Sequence, residues 1–72
     1  MPHSLAQDAQ HRAQDALARS PIHALRSLRV EQQGDNLIIS GRLGTFYHKQ
    51  LAQELVRTVA ADCQVVNAID VD

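Results

Sequence analysis

Leu28-Arg29-Val30-Glu31-Gln32-Gln33-Gly34-Asp35-Asn36-Leu37-Ile38-Ile39-Ser40-Gly41-Arg42-Leu43 reads as two strands around a tight turn. Leu28, Val30 and Gln32 alternate with Arg29 and Glu31, the period-two pattern of a strand with one buried face. Gln33-Gly34-Asp35-Asn36 is the turn, because Gly, Asp and Asn tolerate the backbone angles a hairpin demands. Leu37, Ile39, Gly41 and Leu43 then share one face of a second strand, opposite Ile38, Ser40 and Arg42. Gly44-Thr45 ends that strand, and Thr45 has the side chain of a helix N-cap. From Phe46 to Ala60 the set Tyr47, Leu51, Ala52, Leu55, Val56 and Val59 forms an apolar stripe at helical spacing, with His48, Lys49, Gln53, Glu54 and Arg57 on the wet side. Gln64 to Val71 alternates again: Val65, Asn67, Ile69 and Val71 on one face, Val66, Ala68 and Asp70 on the other.

Upstream, Ser4-Leu5-Ala6-Gln7 has the form of a capping box. Leu5, Ala9, Ala13, Ala16 and Leu17 come next at helical spacing, which predicts a first helix from about Leu5 to Arg19. Asp8 and Arg12, and His11 and Asp15, stand four apart on its exposed side. The stripe is mostly alanine, so this helix can approach a neighbour closely while burying little area. Ser20-Pro21 stops it and suits the start of a short turn. Ile22, Leu25 and Leu28 are spaced to cover the rim of a core.

The chain of 72 residues therefore reads as one α+β domain: a helix over residues 1–19 and a strand-strand-helix-strand core over residues 28–72. A strand-helix-strand crossover is right-handed in nearly all cases. Both helices are thus expected on one face of a three-stranded mixed sheet, with the second and third strands parallel. They cover the face made by Leu28, Val30, Leu37, Ile39, Ile69 and Val71. Arg29, Glu31, Ile38, Ser40, Arg42, Val66 and Ala68 are left on the other, a mix apolar enough for a contact surface.

Composition narrows the function classes. A core this small nets roughly 3–5 kcal/mol without staples. A single cysteine, Cys63, excludes an intrachain disulfide and is expected as a small buried apolar group. Seven basic and eight acidic side chains nearly cancel, and Phe46 and Tyr47 are the only aromatics, so nucleic acid is not an expected partner. Met1-Pro2-His3-Ser4 lacks the basic start and apolar run of a signal peptide, which gives a cytoplasmic expectation.

In order and spacing these pieces resemble the BON domain, named for bacterial OsmY and nodulation. Val65-x-Asn67-x-Ile69-x-Val71 matches the family's V-x-N-x-L-x-V strand. Leu37-x-Ile39-x-Gly41-x-Leu43 is a conservative version of V-x-L-x-G-x-V. Lys49-Gln50-Leu51-Ala52-Gln53-Glu54 is similar to the family's helix. The likeness runs from Leu17 to Val71, and it departs at Ala61-Asp62, where the family usually carries Gly-Val. The resemblance implies an α-β-β-α-β sandwich, binding to phospholipid or membrane surfaces, association with the cell envelope, and no catalytic residue. The alternative expectation is a protein-protein interaction or self-association module without lipid binding.

Candidate chemistry is sparse. His3, His11, His23 and His48 show no three- or four-ligand spacing, so no metal and no cofactor are expected. Gly41-Arg42-Leu43-Gly44 spells the G-x-x-G of nucleotide-clamping loops, but it lies at a strand end and not between two helices. Cys63, Ser40 and Ser27 have no histidine fixed beside them by any motif, so no enzyme is expected. Asp70 and Asp72 read as a solvated tail. The candidate contact residues are Arg42, Thr45, Phe46, His48 and Lys49, where cations and aromatics meet at a helix start whose free amides favour anions.

Overall fold

The computed structural model describes the backbone of residues 5–72 and the side chains of residues 9–72. The Ser4–Gln7 capping box, His3 and the Asp8 side of the Asp8/Arg12 pair lie outside the described residues. The order is α1 (Leu5–Ala18), a 3-10 turn (His23–Ser27), β1 (Arg29–Gln33), β2 (Asn36–Leu43), α2 (Phe46–Val59) and β3 (Gln64–Val71). β2 is the central strand, antiparallel to β1 and parallel to β3. The α+β, α-β-β-α-β architecture with a mixed three-stranded sheet is therefore as the alternation and stripes lead one to expect.

The hairpin closes with Gln33 opposite Asn36, leaving Gly34-Asp35 as a two-residue loop. Gly34 has φ 60 while Asp35 stays at negative φ, the sign pattern of a type II′ turn with glycine first. Ser20 ends α1 but does not cap the 3-10 turn. Its hydroxyl accepts from Ile22 N at 3.0 Å, and the turn opens on Ile22 with no side-chain cap.

Both helices lie on one face of the sheet. Leu28, Val30, Leu37, Ile39, Leu43 and Ile69 form its floor, and Ala9, Ala13, Leu17, Ala52, Val56 and Ala60 form the helix layer above. The alanine stripe does what small side chains allow: Ala9 and Ala13 of α1 are fully buried in the same cluster as Ala52 and Val56 of α2. α1 is also tied down by polar side chains. Arg12 leaves its own helix surface and donates through Nε to Val59 O at 2.8 Å, a carbonyl in the last turn of α2. Its Nη2 lies 3.0 Å from Asp62 Oδ1. A guanidinium there meets both the orphan carbonyls and the negative end of the helix dipole. Asp62 lies in the turn between α2 and β3, and Arg12 is its partner there.

Gln14 binds β1 as a neighbouring strand would. Its Nε2 donates to Leu28 O at 2.9 Å, and its Oε1 accepts from Val30 N at 2.8 Å. Gln10 Nε2 donates to Val30 O at 3.1 Å. The outer edge of β1 is thereby covered at Leu28 and Val30 by two glutamine side chains from α1.

Gly41 of β2 lies against Leu28, the residue that leads into β1. It sits on the inner face with φ 141, and a Cβ there would lie 2.7 Å from Leu28 Cδ2. Glycine is needed both for the backbone angle and for the approach of the segment entering β1. Val71, expected in the core, is 38% exposed because it stands at the last position of an edge strand.

Gly41→Ala is expected to destabilise the fold by about 2–4 kcal/mol in urea unfolding, through overpacking and backbone strain together. Gly34→Asn, at a position with open space around it, is expected to cost less than about 1 kcal/mol. Gln14→Leu strips the partner from a half-buried main-chain N–H and should cost about 1–3 kcal/mol, with faster amide exchange at Val30 than at Glu31.

Candidate functional site

The β2–α2 junction is built from the end of β2, the two-residue loop Gly44-Thr45 and the first turn of α2. Thr45 holds extended backbone angles (φ −139, ψ 147), and its hydroxyl accepts from His48 N at 3.1 Å, which is N-cap geometry. Thr45 O also accepts from Lys49 N at 3.3 Å. The first turn of α2 is thus fixed by Thr45, and its side chains are presented from a rigid base.

Phe46 is 60% exposed and Tyr47 69% exposed, the two most exposed large apolar side chains described. Tyr47 is expected in the apolar stripe, and the structure corrects that expectation. The stripe of α2 is buried only from Leu51 onward, where β2 and β3 lie beneath it. The first turn comes directly off the C-terminal end of β2 and overhangs the core. Lys49 Nζ stands 5.9 Å from the centroid of the Phe46 ring, within cation–π range. The Tyr47 and His48 rings are 5.8 Å apart and tilted by 44°. His48 and Lys49, expected to face water, are both half-buried.

Arg42 is at the same end but points its charge elsewhere. Its Nε lies 3.6 Å from Asp72 Oδ1, and Asp70 is its register partner on β3. Asp70 and Asp72 are therefore not a detached tail; the main chain continues the ladder, with Asp72 N donating to Leu43 O at 3.0 Å. Of the five candidate residues, Thr45, Phe46, His48 and Lys49 are brought together. Arg42 adjoins them and forms a solvent-exposed ion pair with Asp72.

Asn67 supports this end from below. Its Nδ2 donates to Lys49 O at 3.0 Å and to Gln53 Oε1 at 3.1 Å, and its Oδ1 accepts from Ile69 N at 3.2 Å. Asn67 thus fastens α2 to β3 within one turn of the aromatic pair. Its place on the inner face among valine and isoleucine was the signal in the sequence that it must find polar partners there.

At the opposite end of the molecule the hairpin turn and the α2–β3 turn enclose an open polar depression that includes Asp35, Asp62 and Cys63. Cys63, expected as a buried apolar group, is half-buried and free. Burial pushes its thiol up from its ordinary range, Asp62 and Asp35 push the same way, and Arg12 opposes them. That makes it a poor thiolate at neutral pH. Among the described residues no group of three His, Cys, Asp or Glu side chains is placed to hold a metal ion, and no helix is long and apolar enough to cross a membrane. No family model matches the chain, and no curated protein matches it.

Cys63 is expected to react with iodoacetamide at pH 8 more slowly than a free thiol. Asp62→Asn removes one negative neighbour while the bond to Val59 O keeps Arg12 near, so the thiol pKa falls and alkylation should speed up. A slower rate in that variant would contradict the assignment of these charges.

Proposed function

We propose that the chain is a non-catalytic binding module of BON type, and that it contacts phospholipid surfaces through the first turn of α2. The observation that carries this reading is the exposed Phe46–Tyr47 pair, set beside Lys49 on a turn held rigid by Thr45. Two adjacent rings that cannot reach the core are costly in water, and rings flanked by a cation suit the boundary between headgroup and acyl chain. The pattern of Leu37-x-Ile39-x-Gly41-x-Leu43 and Val65-x-Asn67-x-Ile69-x-Val71, with its resemblance to a family associated with membrane surfaces, points the same way.

The charge balance at this end defines the mode of binding. Lys49 is the cation closest to the rings, while Arg42 faces Asp70 and Asp72. Headgroup attraction is therefore modest, and ring insertion carries the affinity. A single Lys near an anionic surface contributes about 1 kcal/mol, and a buried aromatic ring about 1.5–3 kcal/mol.

Co-sedimentation with phosphatidylglycerol-containing and pure phosphatidylcholine vesicles tests this. Binding to the anionic vesicles is expected to fall roughly tenfold or more in Phe46→Ser/Tyr47→Ser, and only about fivefold in Lys49→Gln. Binding by the unaltered chain to neither vesicle at low salt refutes the proposal. The same surface would then fit a protein partner, whose affinity the double variant should equally remove.

A further inference from the structure

The two edges of the sheet are treated differently. In β1 the outward main-chain groups at Leu28 and Val30 are taken by Gln14 and Gln10. In β3 the bonds Gln64 N to Asp35 O and Asp72 N to Leu43 O show that the even-numbered residues face β2. Parallel pairing then turns the N–H and C=O of Val65, Asn67, Ile69 and Val71 outward. Of these, Ile69 N is held by Asn67 Oδ1. Among the described residues no other side chain hydrogen-bonds to the outward main chain of this edge. Gln64–Val71 also contains no lysine, proline or bulge, the usual means of protecting an edge strand. Val66 and Val71 stand 43% and 38% exposed along it.

We infer that β3 pairs antiparallel with β3 of a second copy of this chain, joining two sheets into one of six strands. The register is set by the strand itself. A two-fold axis at Ala68 overlaps the whole run from Gln64 to Asp72. It places Val65 opposite Val71 of the second copy, Asn67 opposite Ile69, and Ala68 opposite itself. Val66 then faces Asp70 and Gln64 faces Asp72, so no carboxylate meets a carboxylate. On the outer face Ile38 and Val66 are register neighbours, and Val66 lies diagonal to the second copy's Ala68. The exposed apolar positions of that face thereby become one continuous strip across the axis. The Asn67 Oδ1 bond to Ile69 N must be shared on pairing, which weakens the contact. The interface is small, so a dissociation constant on the order of 10–100 µM is expected.

This contact uses none of Arg42, Thr45, Phe46, His48 and Lys49, and the two proposals are tested separately. Sedimentation velocity from low to high micromolar concentration should show the mass rising from 8.0 kDa toward twice that value. Ala68 is exposed, so Ala68→Asp and Ala68→Lys are both expected to fold, as checked by circular dichroism. Each alone should be monomeric, because like charges would meet on the axis, and an equal mixture should recover the dimer. Phe46→Ser/Tyr47→Ser should dimerise as the unaltered chain does. A monomer across the whole range overturns the inference. So does a dimer that persists in both charge variants, or one that is lost in the aromatic double variant.

Discussion

A three-stranded sheet has two faces and two edges, and this chain has two helices with which to cover them. That constraint arranges most of what is seen. α2 forms the crossover between the parallel pair β2 and β3, and its stripe buries Ile39, Leu37 and Ile69. α1 must then cover β1 and also close against α2. It does so with alanines where the helices meet and with glutamines where it meets the main chain of β1. One face and one edge are thereby finished. The other face is left polar apart from Ile38, Val66 and Ala68, and the other edge is left open.

The polar side chains of α1 carry more of the fold than its apolar ones suggest. Alanine burial removes little area from water, so a helix of this composition docks weakly by hydrophobicity alone. Gln14 and Gln10 add bonds to main-chain atoms of the β1 edge that would otherwise be half-buried without partners, and Arg12 adds one to an exposed carbonyl at the end of α2. The cost of an unmet main-chain group exceeds the net value of a typical surface bond. These three side chains therefore fix where α1 lies, while Ala9, Ala13 and Leu17 fix how closely.

The strands, the hairpin and the extent of α2 were legible in the sequence because period and turn chemistry are local. Thr45 as N-cap and the parallel pairing of β2 with β3 were legible for the same reason, given the crossover rule. The partners of Arg12 and Gln14 were not, since helical spacing alone put Arg12 on a wet face and says nothing of which carbonyl a docked neighbour will bring. Tyr47 shows the limit of periodicity most clearly. It fits the angular position of the stripe, but burial also depends on what lies beneath each turn, and under the first turn of α2 the sheet has already ended. The same reasoning places Val71 at the rim. The contact residues Phe46 and Lys49 were readable as a cluster; that Arg42 is drawn to Asp72 depends on the register of β3 against β2.

The exposed end and the open edge are linked through Asn67. Its side chain holds Lys49 O above and Ile69 N beside it, so the same residue positions the first turns of α2 and partly occupies the edge of β3. An apolar residue at position 67 would leave the α2 contact unmade and the edge unguarded at its centre. A charged residue would face the core from the inner side of the sheet. Asparagine is short enough to stay under α2 and has both a donor and an acceptor to divide between helix and strand. The sheet edge and the aromatic surface are consequently not independent in their geometry, even though no residue belongs to both contacts.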